Sequence, residues 1–190
     1  MSRNLRTVLV LVITTVVILG GVLLVQQPWK NSSATDPSGV TSIDVNLNGQ
    51  AAPAVGQLAT DFTATTITGD TITLSDLRGH PVWLVFGATW CVNCRAEAPD
   101  VAAVAQAYDG KVTVVTIYVG ESVSTVQGYA DRLGLTTPQI ADTSNSIATA
   151  YAIMGIPAHF FIDSNGAIQR IVVGSVTKQN ATDILNSLMG

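Results

Sequence analysis

The chain has 190 residues, 47% of them hydrophobic and only 12% charged, and a formal net charge of −4. That length suits one globular domain with appendages. The acidic balance leaves no basic patch and disfavours a nucleic-acid-binding role.

In chain order, residues 1–7 form a short N-terminus carrying Arg3 and Arg6. Residues 8–25, VLVLVITTVVILGGVLLV, contain no charge. As a helix they would span ~27 Å, close to the ~30 Å hydrocarbon core of a bilayer. The upstream arginines, with Pro28, Trp29 and Lys30 downstream, suit a retained single-pass anchor. They place the N-terminus in the cytoplasm and the rest of the chain outside the cell membrane. A cleaved signal peptide is the alternative, but the run is long for one and no small-x-small site follows closely. Residues 26–55, rich in Ser, Asn, Gln, Pro and Gly, read as a flexible tether with an r.m.s. reach of roughly 30 Å.

Residues 56–190 read as the folded domain, with six Lys and Arg against eleven Asp and Glu. DFTATTITGDTITL predicts a β-hairpin turning at Gly69-Asp70. PVWLVFGAT is a continuous apolar run, as expected of a strand buried on both faces. CRAEAPDVAAVAQAYDG predicts a helix closed by Gly110 with Pro99 near its start. KVTVVTIYV predicts a second buried strand, SVSTVQGYADRLG a helix ending at Gly134, and SNSIATAYAI a shorter helix. AHFFID, SNG and AIQRIVV predict a second hairpin, and TKQNATDILNSLMG a terminal helix. The expected class is α/β, a central mixed sheet flanked by helices, with an N-terminal hairpin and a right-handed strand–helix–strand unit.

Cys91 and Cys94 are the only cysteines, and they fall where the first buried strand gives way to a helix. There, free helix N–H groups and the helix dipole favour a thiolate. A static disulfide closing so short a loop would add little stability. A structural zinc site wants about four ligands, and only His80 and His159 could join the pair. Position therefore favours exchange chemistry, with the other two readings still open.

WCVNC after a strand, with GIPAHFFID about sixty residues later, resembles a thioredoxin-like fold. The longer stretch VGQLATDFTATTITGDTITLSDLRGHPVWLVFGATWCVNCRAEAP resembles the membrane-anchored TlpA/ResA/CcmG group of thiol-disulfide oxidoreductases. The resemblance runs from Gly56 to about Val173. It implies an exposed attacking Cys91 and a buried resolving Cys94 in a redox-active disulfide. It implies that Glu97 handles protons near the thiols and that a cis Pro157 packs opposite the disulfide. It further implies that Ile156 presents a backbone edge to a bound polypeptide and that Trp90 contacts substrate. Gly87 stands where the group commonly has tryptophan, Thr60 where proline is usual, and Val92-Asn93 replaces a proline-containing pair.

The expected reaction is reduction of disulfides in extracytoplasmic proteins, such as the haem-binding cysteines of apocytochrome c, with no cofactor and no metal. The group implies recharging by a membrane electron donor of the CcdA/DsbD kind. Val92-Asn93 offers no cation or histidine to stabilise a thiolate strongly, which argues against a powerful oxidant. Alternatives are a disulfide-donating oxidase and a redox-inactive domain holding copper through the two cysteines and His159. His159 alone reads as a strand histidine, His80 as a surface residue, and Arg95 as a solvated helix charge.

Overall fold

The computed structural model describes residues 43–45 and 52–189. The expected cytoplasmic segment 1–7, the anchor 8–25 and most of the tether 26–55 lie outside the described residues. Among the described residues, no helix is long and apolar enough to cross a membrane.

Two sheets form. β1 (Asp44–Val45), β2 (Phe62–Thr65) and β3 (Thr71–Thr73) make a small antiparallel sheet, with β2 and β3 joined as the expected hairpin. β1 falls inside the segment read as tether, where it pairs with Thr63 and Phe62.

The second sheet contains β4 (Val82–Gly87), β5 (Thr113–Val119), β6 (Gln139–Asp142), β7 (Ala158–Ile162) and β8 (Ile168–Val173). Their spatial order is β6-β5-β4-β7-β8. β4, β5 and β6 are parallel, while β7 and β8 run antiparallel to their neighbours. The helices are α1 (Val92–Ala107), α2 (Val123–Leu133), α3 (Ser146–Ala150) and α4 (Lys178–Met189). The architecture is the expected mixed sheet with an N-terminal hairpin extension.

All six residues of β4 are buried, which explains its unbroken apolar run: this central strand is covered on both faces. Leu84 and Phe86 point into a core with Phe62, Ile147, Tyr151 and Phe160, beneath the small sheet and α3. Trp83 and Val85 point the other way, against Val101 and Val104 of α1 and Leu185 of α4. Burying each such side chain contributes roughly 1.5–3 kcal/mol. α2 ends at Gly134, whose φ of 63° closes the helix in the left-handed region that glycine tolerates.

The sequence reading did not anticipate β6. Gln139–Asp142 is four residues long and all buried, too short to show a period. It becomes a strand because β5 offers a parallel edge, with Ile117 opposite Ile140.

Candidate active site

β4 delivers the chain to the site. After Gly87 it turns through Ala88, Thr89 and Trp90, and the Cys91 N–H donates to the Ala88 carbonyl at 3.1 Å. Cys91 is the N-cap of α1, with extended backbone, and its Sγ accepts the N–H of Cys94 at 3.2 Å. Capping a helix with sulfur aims unpaired amides at the site where a thiolate forms. Cys91 and Cys94 are joined as a disulfide, with Cα atoms 5.3 Å apart.

The expected exposure of the two cysteines is reversed in this disulfide form. Cys91 is only 7% exposed, whereas Cys94 is half-buried. Gly87 lets β4 approach Cys94 closely: a Cβ there would lie 3.4 Å from both Cβ and Sγ of Cys94. A cavity of about 30 Å³ lies against Gly87, Cys94 and Glu97, with Tyr118, Tyr129 and Gln139 among the residues on its far side.

The Ile156–Pro157 peptide is cis. Pairing of Phe86 with Ala158 brings Pro157 to the end of β4 from which the cysteine turn departs. The Pro157 carbonyl is tied down by the N–H of Gly174 at 2.8 Å. Pro157 is buried and Ile156 half-buried. Trp90 is 68% exposed and Val92 76%, on either side of Cys91, while Met154 in the loop before Pro157 is 97% exposed.

Glu97 lies one turn beyond Cys94 and is buried. Its Oε2 accepts the N–H of Val176 at 3.2 Å. Its Oε1 lies 3.5 Å from Nε2 of His159, which is fully buried on β7. His80 and Arg95 are exposed. Among the described residues, no three His, Cys, Asp or Glu side chains come together as a metal-binding set.

Two features escaped the sequence. Glu121, just past β5, is buried and accepts the backbone N–H of Thr89 at 2.7 Å and its hydroxyl at 2.6 Å. Thr143 in turn donates its hydroxyl to the Glu121 carbonyl at 3.1 Å. Thr89 and Glu121 are 32 positions apart, which left no local signal. Tyr118 donates its hydroxyl to Oε1 of Gln139 at 2.8 Å. Burial, then the neighbouring Tyr129 and Glu121, push its phenol well above the ordinary range. Burial also raises that of Tyr129, against the pull of Arg95 and Arg132.

Residues 55–171 match the model of the AhpC/TSA family. The chain is 36% identical over 138 residues to the thiol-disulfide oxidoreductase ResA of Geobacillus kaustophilus, covering 72% of this chain and 79% of that protein. It is 30% identical over 149 residues to ResA of Bacillus subtilis, covering 78% and 83% respectively. Among solved structures, a thiol:disulfide interchange protein of the thioredoxin family from Chlorobium tepidum superposes with a TM-score of 0.66 at 29% identity. That match covers 73% of this chain and all of the other (100%).

Proposed function

Because this chain belongs to the AhpC/TSA family and is a thioredoxin-like thiol-disulfide oxidoreductase, we propose that it works as a reductase of protein disulfides on the outer side of a membrane. The observation that carries this reading is the Cys91–Cys94 disulfide at the N-terminus of α1, beside the Pro157 loop. The Cys91 thiolate attacks a disulfide of the partner protein, forming a mixed disulfide and releasing one partner thiolate. Cys94 then attacks Cys91 Sγ, and the second partner sulfur leaves. Glu97 takes part in proton transfer at Cys94. Ile156 and Pro157 hold an extended segment of the partner, and the exposed Trp90 gives it an apolar contact.

The apolar run at residues 8–25 and the polar segment 26–55 support anchoring to the cell membrane with the catalytic domain outside. Apocytochrome c of the haem-binding type is the substrate class suggested by the TlpA/ResA/CcmG resemblance. A membrane donor of the CcdA/DsbD kind would return the electrons. Exchange between sulfurs needs neither metal nor organic cofactor.

The test is the redox equilibrium of the full chain in detergent against glutathione or dithiothreitol buffers, read by thiol alkylation. A potential near or below about −270 mV agrees with a reductase. A value near about −120 mV makes the protein a disulfide donor instead.

A further inference from the structure

The interior behind Cys94 holds a pair that ordinary packing does not explain. His159 is 0% exposed and Glu97 6%. Glu97 Oε1 and both nitrogens of His159 lack hydrogen-bond partners, although Oε1 and Nε2 face each other at 3.5 Å. The imidazole packs beside the stacked rings of Trp83 and Phe161, whose centroids are 5.2 Å apart, at 5.8 Å from the first and 6.5 Å from the second. Leaving buried polar atoms unpaired costs free energy. One proton between Oε1 and Nε2 would satisfy both at once. The separation is slightly long for a hydrogen bond, and such contacts tighten when the proton arrives.

Resting on the exchange reading above, we propose that His159 is a positioning residue that makes Glu97 the proton acceptor for the resolving cysteine. In the resolving step Cys94 Sγ bonds to Cys91 Sγ, and the bond from Cys91 to the partner's sulfur breaks. The electron pair leaves on that sulfur, which takes a proton from solvent. The proton of Cys94 passes to Glu97, through the cavity that both residues line, and is shared with Nε2 of His159. When the membrane donor's dithiol next reduces the disulfide, the pair returns that proton to Cys94.

Another buried carboxylate, Glu121, acts on Tyr118 and Tyr129 but is engaged by the N–H and hydroxyl of Thr89. Across the cavity, burial keeps the phenols of Tyr118 and Tyr129 protonated. Arg95 and Asp100 on α1, Arg170 on β8, and Lys178 and Asp183 on α4 are exposed. The neighbours of His159 across β4 and β8 are Val85 and Val172.

The experiment mixes reduced full chain in detergent with a chromogenic nitrophenyl disulfide and follows release of coloured thiolate across pH. The first release reports attack by Cys91, and the second reports resolution by Cys94. His159→Asn is expected to slow the second release on the order of tenfold and to remove its pH inflection, with the first release unchanged within about twofold. Glu97→Gln should slow the second release to a similar extent, and the double variant should be no slower than Glu97→Gln alone. His159→Phe keeps a ring beside Trp83 and Phe161 without holding a proton, so it should behave like His159→Asn. It carries the test if the asparagine variant does not fold. A wild-type pH profile in either variant, or additive losses in the double variant, overturns the inference. A wild type with no second release overturns the exchange reading and this inference together.

Discussion

The Glu121 carboxylate clamps Thr89, accepting its backbone N–H at 2.7 Å and its hydroxyl at 2.6 Å. Thr89 lies two residues before Cys91, so the turn that aims the attacking sulfur is held from the neighbouring strand. β4 and β5 are parallel, with Gly87 opposite Tyr118. The loops leaving both C-terminal ends therefore lie side by side, and a carboxylate at the start of one reaches the other. Hydrogen bonds to a charged acceptor contribute more than neutral ones. Glu121→Ala should lose about 2 kcal/mol in denaturant unfolding and broaden the rate of alkylation at Cys91. Unchanged stability and alkylation would show that the turn holds itself.

The local disulfide sets a clear division of labour. Cys94→Ser should leave Cys91 able to attack but unable to be released, so a mixed disulfide with a partner protein accumulates. Cys91→Ser should trap nothing through the other sulfur. Reducing the wild-type disulfide should cost no more than about 2 kcal/mol of stability, because the closed loop is so short. Non-reducing gels and paired unfolding curves check these outcomes. Equal trapping by both variants would remove the assignment of Cys91 as the attacking residue.

Asp142 closes β6 and is fully buried. Its Oδ2 accepts the N–H of Ala148 at 2.8 Å, while Oδ1 has no partner. Burial pushes its carboxyl above the ordinary range, with the α3 amides of Ala148, Ile147 and Ser146 pulling the other way. The folded state thus holds this proton more tightly than the unfolded chain. The stability it contributes is fully present below the ordinary aspartate value of about 3.9 and is lost as pH rises through the raised folded value. Asp142→Asn keeps the acceptor for Ala148 and removes the titration. It should flatten that part of the stability–pH curve and gain about 1 kcal/mol at neutral pH. Parallel curves for the two proteins would contradict the assignment.

Ala152, just after α3, has φ of 49°. An L-residue in the left-handed region costs roughly 1–2 kcal/mol, which glycine avoids at some loss of chain entropy. Ala152→Gly should raise stability by about 0.5–1 kcal/mol. The residue is exposed, so no packing is lost. A fall in Tm would mean that the backbone relaxes at no gain.

The hairpin in the second sheet has its own polar lock. Asp163 Oδ1 accepts the N–H groups of Asn165 at 2.8 Å and Ala167 at 3.0 Å, and Oδ2 accepts Nε2 of Gln169 at 2.7 Å. Slight burial works to raise its carboxyl, but these donors prevail and hold it below the ordinary range. Its contribution is present above the ordinary value and is lost as pH falls through the lowered one. Asp163→Ala should cost about 1 kcal/mol at neutral pH and progressively less in acid. Equal losses at both ends of the range would point to turn geometry instead.

The sequence by itself determined the elements with long or unbroken patterns. The apolar runs that became β4 and β5 fit strands covered on both faces. The punctuation by Gly134 and by SNG marked where chain direction changes, and the WCVNC spacing after a strand placed two sulfurs at a helix start. Features that depend on which strands lie side by side were decided only in the tertiary structure. β6 exists because β5 offers it an edge, and Glu121 reaches Thr89 because parallel strands end together. The close approach of Gly87 to Cys94, where a Cβ would meet the sulfur at 3.4 Å, arises only once α1 packs on β4. The meeting of Glu97 with His159 required α1 to lie over β7, two elements far apart in the chain. Hydrophobic periodicity records how much of each element is buried, but not the identity of its neighbour. Contacts between single polar groups therefore carry no periodic signal and emerge only from packing.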